Sequence, residues 1–226
     1  MAETDEQLLT AWRAGDHDAA EQLMRRHFAV VYRFLRNKLP DEVEEVAQRT
    51  FLACVESADR FRGESSFRGY LLGIARKQLM LALRRKHRAA KVFDPERMSM
   101  HELDDAAVPS PTGVLARQQS ERVLLLALRR LPLDFQITLE LFYWEELPIA
   151  DIAVVLEIAV GTVKSRMNRA RTMLRAQIET IAAAPALAHE TITEFGDWIA
   201  AMHRRIGDDA VPAAVGDVPE RPDSEG

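Results

Sequence analysis

The sequence predicts an all-α protein with two small helical domains, a flexible linker between them, and a C-terminal extension that is partly helical and partly disordered. Apolar residues recur at spacings of three and four along most of the chain, and strand-like alternation is nearly absent. Residues 89–112 have no such period and contain three prolines, which separates two helical blocks. Because 47% of the 226 residues are hydrophobic, both blocks can build a packed core.

The first predicted domain covers residues 1–90. Leu8 begins a short helix that Gly15 ends, and Pro40 separates the next two helices. A loop at residues 62–66 supplies a serine suited to cap the helix that follows. The helices expected after the first cover residues 19–39, 42–59 and 67–88.

The second predicted domain covers residues 114–181 and follows a linker at 91–113. The extension at 182–226 divides into an amphipathic helix, 186–206, and an acidic segment with several prolines, for which we predict disorder. The helices expected in the second domain cover residues 114–131, 134–145, 149–156 and 162–181.

The net charge of −5 would ordinarily argue against nucleic acid as a partner. The charge is unevenly distributed, however: residues 60–97 carry 11 basic and 3 acidic groups, and residues 160–176 carry 5 basic groups and no acidic one. The segment between them, 98–159, has a net charge of −6, and residues 177–226 have −7. Two separate basic segments predict contact with a polyanion at two places.

Several classes of protein and site are not expected. No apolar run is long enough for a membrane span, and residues 1–5 lack the basic start of a signal peptide. The single cysteine excludes an internal disulfide and a cysteine-based metal site, and no catalytic motif is present. We therefore expect a cytoplasmic protein that is not an enzyme and needs no metal or cofactor.

Residues 149–166 have the form of a helix-turn-helix. The second helix has an apolar stripe at spacings of four, three and four, formed by Val163, Met167, Ala170 and Leu174. A basic and polar face remains for solvent, which suits insertion into a DNA major groove, although a solvated basic helix would look similar. That face carries Lys164, Ser165, Asn168, Arg169, Arg171, Thr172 and Arg175, with Arg166 at its boundary.

The first basic segment interleaves aromatic side chains with basic and small polar ones. Aromatic rings can stack on bases while Arg and Lys hold phosphates, so this mixture favours single-stranded or melted nucleic acid. The alternative is that Phe61, Phe67 and Tyr70 belong to the core of the helical bundle.

The motifs together resemble those of bacterial sigma factors of the extracytoplasmic-function (ECF) type, in the sigma-70 superfamily. The resemblance covers about residues 5–180 and rests on the order of RFRGESSFR (60–68), LLGIAR (71–76), VGTVKSR (160–166) and RAR (169–171). It implies that the first domain binds the β′ clamp of core RNA polymerase and melts and reads the promoter −10 element. It further implies that the second domain reads the −35 element as duplex and contacts the β flap. An anti-sigma factor is left open as a further partner.

The resemblance assigns roles by position to three sets of residues. Core polymerase would be bound by Asp41, Glu44, Glu45, Gln48 and Phe51. The −10 element would be held by Arg62, Gly63, Ser65, Ser66, Phe67, Arg68, Arg76, Lys77, Arg84 and Arg85. The −35 element would be held by Lys164, Ser165, Arg166, Asn168, Arg169 and Arg171.

Five positions depart from the family pattern: Arg49, Tyr70, Lys77, Glu157 and Ala159. Arg49 stands where the polymerase-binding helix usually has an acid, which reverses a charge at that contact. Glu157 stands where the turn of the helix-turn-helix usually has glycine, so we expect slight backbone strain there.

Two other interpretations remain open at this point. A dimeric helix-turn-helix regulator with a sensing N-terminal half would explain the second basic segment but not the first. The second interpretation is a protein that uses both basic segments to bind acidic surfaces of other proteins. For the extension, we expect helix 186–206 to pack on one of the two domains through Phe195, Trp198 and Ile199. In one interpretation, its acidic residues then compete with DNA for a basic segment. In the other, the helix only caps the second domain.

Overall fold

The computed structural model describes residues 3–86, 116–182, 188–189 and 192, and confirms the all-α prediction. Short 3-10 turns at Pro40–Glu42 and Ala58–Arg60 flank the third helix. The predicted linker, 91–113, and most of the extension lie outside the described residues. The helices in the described part of the chain are α1 (Asp5–Arg13), α2 (His17–Arg36), α3 (Val43–Ser57), α4 (Phe67–Lys86), α5 (Ala116–Arg129), α6 (Leu133–Tyr143), α7 (Ile149–Leu156) and α8 (Val160–Ile181).

Side-chain caps fix the start of the first two helices. The Thr4 hydroxyl accepts from the Gln7 amide at 3.3 Å, and the Thr4 amide donates to the Gln7 side chain at 2.8 Å, which makes a capping box. The Asp16 carboxylate accepts from the amides of Asp18 and Ala19 at 2.9 and 3.0 Å. Helix α2 therefore begins two residues earlier than its apolar pattern predicts.

A buried histidine connects α1 to α2. His27 Nε2 lies 2.7 Å from Asp5 Oδ2. Burial lowers the pKa of His27 below its ordinary value of 6.5, and the attraction of Asp5 opposes this shift without cancelling it. The His27 ring is consequently a neutral part of the core at pH 7.

The predicted serine cap of α4 is present. Ser66 Oγ accepts from the Gly69 amide at 3.2 Å, and the loop before it turns at Gly63, whose φ is +73°. In the second half of the chain, the turn between α7 and α8 places Glu157 at φ 56° and ψ 42°, in the left-handed region. The strain expected from the missing glycine is therefore present.

The predicted apolar stripe of α8 is fully confirmed, because all four of its residues are buried. Cys54 stands on an apolar face of its helix, which predicts burial; it is buried, and burial raises its thiol pKa to about 12. The apolar spacing of the predicted helix 42–59 places Val55 on its buried side with Val43, Val46, Ala47 and Phe51, but 54% of the Val55 surface is exposed. The prediction was wrong there because the groove between α2 and α3 is left uncovered at that end.

The two helical groups share one continuous apolar core. Helix α4 of the first group packs along α7 of the second. Gly69 and Gly73 lie one turn apart on the contact side of α4, where a β-carbon on Gly69 would meet Asp151 Oδ2 at 3.3 Å and one on Gly73 would meet Val155 Cα at 3.8 Å. The absence of side chains at these two positions allows the close approach of the helices.

The described end of the chain returns to the second group. Ala188 is buried, and Ile192 packs against the core beside Leu174 and Ile178 of α8. The predicted anchors Phe195, Trp198 and Ile199 lie outside the described residues.

Candidate nucleic-acid and polymerase interfaces

Helix α8 presents the polar face that its sequence predicts. Lys164, Ser165, Asn168, Arg169 and Arg171 are all exposed. Arg166 differs, since it is 6% exposed and forms an ion pair with Asp134 Oδ2 at 3.2 Å. Five of the six residues assigned to duplex DNA therefore face solvent in this conformation.

Aromatic rings position the arginines of this face. The guanidinium groups of Arg166 and Arg169 lie 5.9 and 5.7 Å from the centre of the Phe135 ring. Arg171 donates from Nε to the Tyr143 hydroxyl at 2.9 Å. These contacts orient guanidinium groups that would otherwise rotate freely, which lowers the entropy lost when they bind a partner.

The aromatic side chains of the first basic segment belong mainly to the core. Phe67 is 4% exposed, and its ring lies 5.5 Å from the ring of His27 and 6.0 Å from that of Phe61. The Tyr70 ring packs at a tilt against Phe61, with ring centres 4.8 Å apart, and the Tyr70 hydroxyl donates to the carbonyl of Ser57 at 2.8 Å. The alternative given for these rings, a place in the bundle, is what the structure shows, and Phe67 supports the loop from beneath.

The polar residues of the same segment fall into two groups. Arg62, Gly63, Arg84 and Arg85 are exposed, and Ser65 is partly so. The remaining ones contact acidic side chains of the second helical group. These contacts are Ser66 with Asp151, Arg68 with Glu145, Arg76 with Asp134, and Lys77 with Glu157.

Glu145 is the most deeply buried of these acids, with 3% of its side chain exposed. It accepts from Arg33 in a bidentate arrangement at 2.9 and 3.0 Å, and it also pairs with Arg68. Lys38, whose side chain is fully buried, pairs with Glu140 close by. Buried charges of this kind are stable only while they remain paired.

An apolar groove lies between α2 and α3. Phe28 stacks on Phe51 and on Tyr32 with ring centres 5.8 Å apart in both pairs, while Leu52 is 56% exposed and Val55 54%. We call this the α2–α3 groove, and it is lined by Phe28, Tyr32, Glu44, Ala47, Gln48, Phe51, Leu52 and Val55.

Acidic and polar side chains form the rim of the groove. Asp41, Glu44, Glu45 and Gln48 are exposed. The Tyr32 hydroxyl donates to Glu44 Oε1 at 3.0 Å, and burial together with this bond raises the Tyr32 pKa. Arg49, one of the departures from the family pattern, pairs with Glu45 one turn away at 2.6 Å, so it neutralises part of the rim.

Two kinds of feature are absent from the described part of the chain. Its His, Cys, Asp and Glu side chains form no group of three that could hold a metal ion. None of its helices combines the length and the apolar content that crossing a membrane requires.

Comparison with known proteins decides the family. Residues 20–90 match the family model "Sigma-70 region 2" and residues 121–174 match "Sigma-70, region 4". The chain is 31% identical over 195 residues to the ECF RNA polymerase sigma-E factor of Haemophilus influenzae, which covers 80% of this chain and 100% of the relative. The protein belongs to the ECF sigma factors. The RNA polymerase sigma-H factor of Pseudomonas aeruginosa is also 31% identical, over 75% of this chain and 91% of its own length.

Solved structures support the fold of this sigma factor. The sigma factor RpoE in complex with the anti-sigma factor NepR from Bartonella quintana aligns with a TM-score of 0.54 at 23% identity, over 70% of this chain and 96% of that one. CnrH in complex with the cytosolic domain of CnrY aligns with a TM-score of 0.55 at 23% identity, over 80% and 100%. The family matches and these relatives favour a sigma factor over a conventional helix-turn-helix regulator.

Sequence reasoning missed two parts of the sites. It did not place Leu52 and Val55 on an exposed groove, because periodicity cannot tell a core stripe from a stripe left uncovered. It also did not pair the acids of the second domain with the first basic segment. The adjacent net charges of +8 and −6 were the available signal for that pairing.

Proposed function

This ECF sigma factor directs transcription initiation, and we propose how its surfaces divide that task. The first domain, 1–90, binds the β′ clamp of core RNA polymerase and the −10 element, and the second, 114–181, binds the −35 element and the β flap. The observation that carries the proposal is the exposed face of α8, which presents base-reading and phosphate-binding side chains over a fully buried apolar stripe.

Duplex recognition at −35 is assigned to the first half of α8. Lys164, Asn168 and Arg169 project from one side of the helix and are of the types that hydrogen-bond base edges in the major groove. Arg171, held by Tyr143, would lie nearer the backbone phosphates. Arg166 joins this set once its pair with Asp134 opens.

Recognition at −10 is assigned to the loop before α4 and to the basic side of α4. Arg62, Gly63, Ser65 and Ser66 would surround a base that leaves the stack, with Phe67 supporting the loop. Arg68, Arg76, Lys77, Arg84 and Arg85 would hold the strand through its phosphates.

Polymerase binding is assigned to the α2–α3 groove. Its floor is a contiguous set of apolar side chains that includes the exposed Leu52 and Val55, and its acidic rim is repelled by DNA. This combination suits a protein partner that carries apolar and basic side chains. Asp41, Glu44, Glu45 and Gln48 would contact the basic side chains, while Phe51 and Leu52 would contact the apolar ones.

Three further assignments complete the proposal. The protein acts without catalysis of its own, and it works in the cytoplasm, where core polymerase is found. An anti-sigma factor is a partner, a proposal supported by the solved neighbour RpoE, a sigma factor in complex with the anti-sigma factor NepR.

The test is run-off transcription with core polymerase on genomic fragments, comparing wild-type protein with Lys164→Ala and Arg175→Ala. Both variants remove one exposed cation from α8, so both lose part of the salt-dependent affinity. Lys164→Ala should in addition relax the preference among −35 sequences by about 1–3 kcal/mol at one base pair. Absence of promoter-specific transcripts with wild-type protein would refute the function, and equal sequence preference in the two variants would refute the base-reading role of Lys164.

A further inference from the structure

We propose that Arg13, on α1, is a positioning residue for base capture at the −10 element. Its guanidinium group fixes the start of the loop at residues 62–66, which we call the capture loop. The inference rests on the proposed function, because it takes this loop as the site that receives a base from the −10 element. All the groups that support it belong to the first domain.

Arg13 lies in the last turn of α1 and contacts the segment that follows α3. Its Nη2 nitrogen donates to the carbonyl of Ala58 at 2.9 Å and also to the carbonyl of Phe61. The guanidinium carbon lies 6.0 Å from the centre of the Phe61 ring. Carbonyl groups at the end of a helix lack partners within the helix and attract a cation. Arg13 therefore connects α1 to the residues that lead into the capture loop.

The bond to the Phe61 carbonyl restricts the direction of the chain that follows. This carbonyl and the amide of Arg62 belong to one peptide unit, and a peptide unit is planar. Holding the oxygen therefore limits how the Arg62 amide can turn, before the loop bends at Gly63, whose φ is +73°. The first residue of the capture loop is thus positioned by a side chain 48 positions before Phe61.

Aromatic side chains hold the other end of the capture loop. The Phe61 ring meets the buried ring of Phe67 edge-on, with centres 6.0 Å apart, and lies 4.8 Å from the ring of Tyr70. The Tyr70 hydroxyl donates to the carbonyl of Ser57, the last residue of α3, at 2.8 Å. The end of α3 is therefore held from α1 by Arg13 and from α4 by Tyr70.

Between these two attachments the capture loop is open to solvent. Four of its five residues are exposed, and Ser65 is partly exposed. A loop with fixed ends samples fewer conformations, so it loses less entropy when it closes around a base. Without Arg13 the Phe61 end would move more freely, and the nucleotide itself would have to order the loop. Loss of Arg13 is therefore expected to weaken the discrimination between bases.

The same contacts contribute little to folding. Arg13 is exposed, its bond to Phe61 lies at the surface, and its bond to Ala58 is only partly buried. Water can replace the guanidinium group at both carbonyls, so a variant without it should unfold close to the wild-type midpoint. This difference separates a positioning role from a structural one.

The experiment compares Arg13→Met with the control Arg25→Met, each as a full-length chain bound to core polymerase. Both variants remove one exposed cation from the first two helices, but Arg25 pairs with Glu21 one turn away on α2. The DNA is a promoter fragment that wild-type protein selects in the run-off assay, together with copies in which one −10 base pair is changed. The fluorescence of 2-aminopurine in the melted region gives the rate of strand opening on each.

The ratio of the opening rates on the original and the changed promoter measures base discrimination, and it does not depend on how much of the protein is folded. Arg13→Met should lower the largest such ratio at least about threefold relative to Arg25→Met, with core polymerase bound as tightly by both. Arg13→Lys, which keeps a cation able to donate to the two carbonyls, should recover most of the ratio.

Equal ratios in Arg13→Met and Arg25→Met would overturn the proposal. A slower rate on every promoter with an unchanged ratio would do the same, because it would give Arg13 a structural role alone. Wild-type protein separates this inference from the proposed function. If wild-type protein opens all the changed promoters as fast as the original, the capture loop does not read the −10 element, and the proposed function fails there. Discrimination by wild-type protein with equal ratios in the two variants removes only the role of Arg13.

Discussion

Leu52 offers the sharpest test of the α2–α3 groove, because it faces solvent in the free protein and would be covered in a complex. The change is Leu52→Asp. Since 56% of the leucine is exposed, its removal leaves the folded protein nearly unaffected, and unfolding free energy should shift by less than about 0.5 kcal/mol.

The loss of polymerase affinity can be worked from that exposure. Full burial of a leucine side chain contributes about 1.5–3 kcal/mol, so covering the exposed half contributes roughly 1–1.5 kcal/mol. An aspartate in the same contact would also have to lose its water of hydration against the apolar side chains of the partner and of the groove, which raises the total loss to about 2–4 kcal/mol. That corresponds to roughly 30- to 1,000-fold weaker binding.

The assay is competition between labelled wild-type protein and each variant for core polymerase in the absence of DNA. Leu81→Asp serves as the control, since Leu81 is 51% exposed on α4 and does not line the groove. An unchanged affinity of Leu52→Asp, or an equal loss in Leu81→Asp, would show that polymerase does not bind in the groove.

Two further predictions concern stability. Glu157→Gly should be about 1 kcal/mol more stable than Glu157→Ala in urea unfolding, because both lose the pair with Lys77 but only glycine accepts the left-handed backbone without strain. Equal stability of the two would refute the strain. Because burial lowers the pKa of His27, the unfolded chain binds more protons below the ordinary value of 6.5, and thermal stability should decline as the pH falls from 7 to 5. His27→Gln should make thermal stability depend less on pH over this range. If the variant loses stability with falling pH as steeply as the wild type, the decline belongs to other titratable groups.

Most of the architecture could be predicted from the sequence, because apolar periodicity, capping residues and turn residues determine where helices form. Periodicity identified the buried stripe of α8, and the missing glycine at Glu157 identified a strained turn. The helix bounds differ by a few residues where a cap, such as Asp16, begins the helix ahead of its apolar pattern.

The candidate sites could be predicted only in part. Five of the six residues assigned to −35 lie on the solvent face because helical geometry alone decides their direction. The contacts of Arg68 and Arg76 depend on residues about 60 to 80 positions away, and no local pattern encodes such pairing. The exposure of Val55 likewise depends on which surfaces neighbouring helices leave uncovered.

The paired glycines of α4 have a consequence for the local stability of that helix. Each glycine lowers intrinsic helix propensity by about 1 kcal/mol relative to alanine, so the first half of α4 depends on its contact with α7 to remain wound. A variant that breaks the contact with α7 should therefore let the amides of this stretch exchange with solvent faster than those of α3. The segment assigned to strand capture thus owes its helical order to a neighbouring helix and not to its own sequence.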